Sequence, residues 1–335
     1  MPPPQMANLK FSGAVFMIEE KNISAPTEST VRKKGGLKES RKQALIFVWA
    51  MMGIPVLKIL SLYFYTNAST IIMAFQDPRT EAWTFKNFIQ FWEILTTNGG
   101  VLRLAFKNTL TYFAWGTFFI LPCSLLISYF LYKRIFLYKT FRVIFYLPAI
   151  ISGLVTVTAY TNFISPKGPL GYFMSAMGNP LPPEGLLGRP ETATNTIVGY
   201  LIWTAFTGNV LYFSSSMARI PIEVLEAGRL EGIKPFEEII YIVLPFVWPI
   251  FSMTIIMQFA NITGSSGPIL LFTNGEQETI TVAHWMFQQV YGNGIIGGSG
   301  SYNLLSATGI SLTLVFFPLT LFVRWLVNRV EQFEY

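Results

Sequence analysis

The sequence has one cysteine, Cys123, one histidine, His284, and one aspartate, Asp77. A lone cysteine excludes an internal disulfide and a cysteine-based zinc site. A lone histidine excludes multi-histidine metal centres. Charge is scarce as well: charged residues make up 13% of the 335, about half the ~25% of an average soluble domain. A soluble chain of this length buries a large core but still needs a charged surface, and this composition does not supply one. The count therefore argues against a water-soluble globular enzyme. Apolar side chains form 52% of the chain, 30 of them Phe, which excludes disordered and collagenous classes. A phosphate-binding Gly-x4-Gly-Lys-Ser/Thr loop is missing too. Gly292–Gly300 is glycine-rich, but no strand precedes it and no lysine follows it. It reads as a flexible outer loop.

What is present in quantity is long apolar runs. A bilayer core of ~30 Å needs ~20 mostly apolar helical residues, because any other backbone leaves unpaired N–H and C=O groups in lipid. Six runs meet this: 44–66, 109–132, 143–164, 195–217, 244–272 and 304–323. The fifth is interrupted by Gly264, Gly267 and Pro268. The expected fold is an all-α membrane protein with six transmembrane helices, preceded by a polar tail over 1–43. That tail has no apolar segment of its own, so it does not read as a cleaved signal peptide.

The basic residues set the orientation. With the N-terminus inside, the tail, the loops after the second and fourth spans, and the C-terminus hold seventeen Lys and Arg, against six outside. Both termini come out cytoplasmic. The formal charge of +6 thus lies in short runs beside the spans, where it suits anionic lipid and topology control. No aromatic-basic patch accompanies it, so no nucleic-acid partner is expected. Lys58 is the one charge inside the first span, and a pairing with another membrane subunit is one reading of it. His284 falls in an outer segment and reads as a loop or interfacial residue.

The loop after the fourth span, Ala218–Pro245, has the most specific pattern. Pro221 can occupy a helix first turn, where its missing N–H costs nothing. Glu223 and Glu226 follow at the favourable end of the helix dipole. Gly232 can supply the positive-φ turn that ends the helix. Pro235 can start a second short helix with Phe236, Ile239, Ile240 and Val243 on one face. The loop is expected to present Val224, Leu225, Leu230 and Phe236 beside charged groups. Such a knob suits a groove on another protein or a lipid surface. Its glutamates, Glu223, Glu226, Glu231, Glu237 and Glu238, argue against an anionic membrane.

The loop resembles the EAA motif of permease subunits of bacterial ABC importers. Glu226-Ala227-Gly228, then Gly232, then Ile242-Val243-Leu244-Pro245 keep the motif's spacing, with Gly228 for its second Ala and Glu231 for its usual Asp. Gly228 costs the helix up to ~1 kcal/mol relative to Ala. The resemblance extends over about Phe85–Val330. It includes Asn108-Thr109-Leu110, Phe141–Pro148, Ser165–Gly168 and Leu271–Gly275, which are similar to segments of the carbohydrate branch. It implies a type I ABC importer permease fold, a second homologous permease, two ATPase subunits that bind ATP and magnesium, and an extracytoplasmic solute-binding protein. It implies that Glu223, Glu226, Ala227, Gly228, Glu231, Gly232, Phe236, Leu244 and Pro245 form the ATPase-coupling element in the bacterial cell membrane. No catalytic residue, metal or cofactor is expected in the chain itself.

The solute path is sought among uncharged polar side chains near mid-membrane: Tyr160 and Asn162, Trp203 and Asn209, and Gln258, Asn261 and Thr263. Each also has a plain reading as an interhelical hydrogen bond worth ~0.6–2 kcal/mol. Irregular backbone around Gly264–Pro268 is tolerated at membrane depth where it is protein-buried or lines a cavity, which favours the fifth span as path-lining. The cargo implied is a carbohydrate, an oligosaccharide first. Glycerol phosphate, a polyamine or another small polar solute would use the same machine. A self-sufficient secondary transporter is the other class, but it would place acids inside its spans, and these runs contain none. A membrane-embedded enzyme has still less chemistry to draw on.

Overall fold

The computed structural model describes residues 34–97, 99–291 and 302–329, with side chains from Arg41 onward. The tail up to Lys33 and the glycine-rich loop Gly292–Gly300 lie outside the described residues, as do the basic residues Lys10, Lys21, Arg32 and Lys33. The chain divides into two compact units, Met1–Tyr63 and Phe64–Tyr335. In the first, α1 (Lys34–Lys58) carries Pro55 and runs into a π-helical stretch that begins at Ile59. Lys58 closes its last α-helical turn, with its side chain exposed.

The second unit is helical, with one isolated β-bridge between Gln76 and Trp83 among the described residues. Its helices are α2 (Tyr65–Ala74), α3 (Lys86–Thr96), α4 (Val101–Tyr132), α5 (Tyr138–Ile150), α6 (Gly153–Ile164) and α7 (Pro169–Ala176). They continue with α8 (Pro190–Met217), α9 (Ile222–Leu230), α10 (Pro235–Ala260), α11 (Ile269–Phe272), α12 (Val282–Tyr291) and α13 (Tyr302–Val327). Five helical segments are long and apolar enough to cross a membrane: Arg41–Ala74, α4, α8, α10 and α13. They contain five of the six expected runs wholly or in large part.

The third run is different. It is not one straight span but a broken pair, in which α5 and the segment Gly153–Ala176 meet at 115°. Pro148 has no N–H to give to the last turn of α5. Ile151 and Ser152 then leave the helical region, with ψ of 144° and 138°, before Gly153 restarts it. The Thr207 hydroxyl of α8 donates to the Phe145 carbonyl at 2.5 Å and ties this end of α5 to the bundle.

The fifth run is shifted as well. α10 begins at Pro235, well before the expected start, so the second short helix of the loop is the first turn of the span itself. Pro245 causes no break. A proline ring normally clashes with the carbonyl four residues back, but a π-helical stretch, Ile239–Val243, widens the helix just before it. Pro122 in α4 follows Trp115–Ile120 in the same way. The regular helix ends at Ala260. A 3₁₀ turn, Ile262–Gly264, and extended backbone then lead to α11, so the interruption expected at Gly264, Gly267 and Pro268 is present.

Three apolar clusters hold the second unit. One joins Leu121, Leu125 and Tyr129 of α4, Phe213 and Met217 of α8, Leu225 of α9, and Ile239, Ile242, Val243 and Val247 of α10. A second joins Phe91, Leu102, Ile280, Trp285 and Leu305. A third, smaller one joins Tyr112, Ile197, Val198 and Ile269. Small hydroxyl residues let α4 lie close along α8: Ser124 and Ser128 are fully buried, and Ser128 Oγ reaches the Val210 carbonyl at 3.4 Å.

Candidate functional site

The loop between α8 and α10 is built from a helix, a tight reversal and a second helix start. Pro221 sits just before α9 rather than inside its first turn, with extended ψ of 136°. Gly232 takes φ +79°, as its position predicts. Around it Gly232 N–H donates to Arg229 C=O and Ile233 N–H to Gly228 C=O, both at 3.1 Å. These are the two bonds of a Schellman stop, which satisfy the last carbonyls of α9. On the far side the Glu237 carboxylate accepts from the Lys234 N–H at 2.9 Å, capping α10.

Burial then sorts the side chains. Leu225 was expected at the surface but is 5% exposed and belongs to the first cluster, with Val224 against it. Ile239 and Val243 are also buried, while Phe236 and Ile240 are exposed, so these four do not share one face. The reason is the continuity of α10: its inner face is set by contact with α4 and α8, not by a short helix lying free. The exposed knob is made instead by Ile222, Leu230 (90% exposed) and Phe236, with Glu223, Glu226, Ala227 and Glu231 around them. Gly228 is buried on the opposite side. A Cβ built there stands 2.8 Å from Ile242 Cδ1, so α9 lies against α10 with Ile242 packed directly on the glycine. Leu244 and Pro245 are half-buried at the root of the loop.

The glutamates do not act alike. Glu223, Glu226 and Glu231 are exposed and Glu237 is a cap, but Glu238 is buried and paired with Lys133. Sequence reading counted both partners only as loop charges. Their separation of 105 residues gives no local signal.

The polar candidates of the spans fall into separate places. Tyr160 and Trp203 lie together, rings parallel within 19° at 6.4 Å, with Tyr200 and Phe272 completing the cluster. The Tyr160 hydroxyl donates to Thr196 C=O at 2.9 Å. Asn261 and Thr263 line a groove of about 620 Å³ between α10 and α13, with Gly264, Thr313, Phe317 and Arg324. Gln258 turns toward α4, its carboxamide oxygen 3.8 Å from where a Cβ on Gly116 would stand. Asn162 is exposed near the end of α6, and Asn209 is half-buried on α8.

Two further sets of polar contacts organise this unit. Asn108 is 5% exposed and its amide donates to the carbonyls of Glu278 and Ile280, at 2.6 and 2.9 Å. Thr109 Oγ1 accepts from the Val282 N–H at 3.0 Å. His284 is buried on α12, with its Nε2 3.1 Å from Gln288 Nε2, and Gln288 donates to Asn274 C=O. This makes His284 a packed loop-anchoring residue.

No family model matches the chain. Among curated proteins it is similar to the arabinooligosaccharides transport system permease protein AraP of Bacillus subtilis (strain 168), 23% identical over 202 residues, covering 58% of this chain and 62% of that protein. It is also similar to the multiple sugar-binding transport system permease protein MsmF of Streptococcus mutans, 25% identical over 143 residues, covering 43% and 49%. The chain thus spans about three fifths of the length of the first of these relatives. Among solved structures it matches a bacterial ABC transporter involved in the import of the acidic polysaccharide alginate. There the TM-score is 0.72 at 20% identity, over 88% of this chain and 99% of that one.

These likenesses define the class: a chain with five helical segments long and apolar enough to cross a membrane and with the fold of an ABC importer permease. Within that class the chain resembles the carbohydrate branch.

Proposed function

We propose that the chain is the transmembrane permease subunit of an ATP-driven importer for a carbohydrate, an oligosaccharide, handed over by an extracytoplasmic solute-binding protein. In this reading both termini and the α8–α10 loop face the cytoplasm, where the inside excess of Lys and Arg lies. A second homologous permease completes the path. Two ATPase subunits supply ATP hydrolysis and bind ATP and magnesium, so this chain contributes no catalytic residue. The observation that carries the reading is the loop itself. An exposed knob with the motif's spacing stands on a buried apolar base shared by α4, α8 and α10.

Glu223, Glu226, Ala227, Glu231 and Phe236 are assigned to the face that meets the ATPase. Gly228, Gly232, Leu244 and Pro245 are assigned to holding it in shape. Closure of the ATPases displaces the knob, and the spans beneath it follow as packed units. For the solute, the Tyr160–Trp203 cluster offers flat aromatic faces of the kind a sugar ring covers. Asn261 and Thr263 offer hydrogen bonds, with Gln258, Asn162 and Asn209 as further contributors.

The test is uptake of labelled oligosaccharides, beginning with arabino-oligosaccharides, by cells that make the chain with its neighbouring subunits. Gly232→Pro and Glu226→Lys are each expected to abolish uptake while leaving the protein in the membrane. Wild-type uptake in either variant overturns the docking-loop assignment. A lone chain that transports at full rate overturns the importer reading.

A further inference from the structure

Glu238 is the one acidic side chain in the buried set of the described residues, at 5% exposure. Lys133 Nζ lies 2.5 Å from its Oε1 and 2.7 Å from its Oε2. Lys133 directly follows α4, and Glu238 lies in the first turn of α10. The lysine ammonium also stands 5.5 Å over the Tyr129 ring. The pair thus sits where α4, α9 and α10 converge, on top of the apolar cluster of Tyr129, Leu225, Ile239 and Ile242.

A buried ion pair adds little to stability compared with well-packed apolar side chains of the same size. What it fixes is geometry, because any slip leaves two charges unpaired in a poorly solvated place. Apolar contacts alone allow small sliding between helices. The loop is already fastened to α10 through Gly228 against Ile242 and through Leu225. Fastening to α4 at a single register is what Lys133–Glu238 adds.

We infer that Lys133 and Glu238 are positioning residues that lock the start of α10 to the end of α4. A displacement of the α8–α10 loop then reaches α4 together with α10. This inference rests on the importer reading, since it needs an ATPase to move the loop.

The experiment uses the assembled complex, purified through a tag on this chain from cells expressing its neighbouring subunits. Val101→Cys, exposed at the start of α4 and outside its apolar run, is labelled with N-ethylmaleimide in a Cys123→Ala background, with and without ATP and vanadate. In the complex with Lys133 and Glu238 intact, the nucleotide is expected to change the labelling rate by about fivefold or more. In Glu238→Gln the ATPase still co-purifies, because the exposed face is untouched, but the nucleotide no longer changes labelling. The exchange Lys133→Glu with Glu238→Lys restores the response. A nucleotide response in Glu238→Gln equal to that of the intact pair overturns the inference.

Should Glu238→Gln fail to accumulate, Lys133→Met with Glu238→Met decides, since it leaves no unpaired charge. Loss of the nucleotide response in that variant supports a positioning role. A full response there shows that the pair serves folding alone and overturns the inference. The importer reading fails separately, if no ATPase co-purifies with the wild-type chain at all.

Discussion

The α8–α10 loop and the polar residues of the spans make opposite use of polar chemistry. In the loop, Glu223, Glu226 and Glu231 share one exposed face with Ile222, Leu230 and Phe236, while Leu225, Ile239 and Val243 turn inward onto α4, α8 and α10. In the spans, the polar groups are dispersed: an aromatic cluster at Tyr160 and Trp203, a groove at Asn261 and Thr263, and Gln258 facing α4. The loop's shape is fixed locally, by one glycine turn and one cap within a few residues. The span residues are fixed by neighbours far along the chain. A local device can be changed one residue at a time with separable effects, whereas a dispersed one answers to the whole bundle.

The sharpest way to break this comparison is a pair of leucines on the same short helix. Leu225→Ala removes a buried side chain from the first cluster and is expected to destabilise the chain by about 2–5 kcal/mol. That would appear as lower membrane accumulation and a lower unfolding midpoint in detergent. Leu230→Ala, at 90% exposure, is expected to change stability by less than about 0.5 kcal/mol and to weaken ATPase co-purification instead. Equal stability losses in the two variants would mean that burial does not sort this helix as described.

Next in size is Asn108→Ala. It leaves the Glu278 and Ile280 carbonyls without their amide donor in a buried place, a loss of about 1–3 kcal/mol. Faster amide exchange across 273–282, with little change in 222–245, is the expected readout. A smaller effect, about 1 kcal/mol, is expected for Tyr160→Phe, which loses the bond to Thr196 and keeps the ring. Solute affinity should survive that change but not Tyr160→Ala, if the ring face is what the solute meets.

The smallest effect concerns Asp77, on the turn between α2 and α3. The Arg79 backbone N–H, donating at 3.0 Å, and Lys86 hold its carboxyl below its ordinary value of 3.8. A depressed native pKa stabilises only while the group is ionised. The contribution is therefore present above about pH 3.8 and is lost as pH falls through the native value. Asp77→Asn should lower the unfolding midpoint slightly at neutral pH and not at all in strong acid.

Much of this was legible before the structure. Apolar run length marked the spans, because lipid leaves the backbone so few options. The positive φ at Gly232 followed from its place after a helix. The break after Pro148 was not legible, since an uncharged run of the right length reads as one span whether or not it bends. Nor was the inward turn of Leu225, because α9 alone does not say which neighbour will cover it. The Lys133–Glu238 pair was missed for the same reason: each residue has an ordinary role in its own loop, and only the meeting of α4 with α10 joins them.

The π-helical stretch before Pro245 has a mechanical consequence. By absorbing Pro245, it leaves α10 continuous through Pro249 over 26 residues, from the loop to Ala260, a length of about 39 Å at ~1.5 Å per residue. Such a helix is a lever. A tilt of about 10° around its midpoint carries each end roughly 3 Å, in opposite directions. A push at Pro235 therefore becomes a swing in the opposite direction beside Asn261.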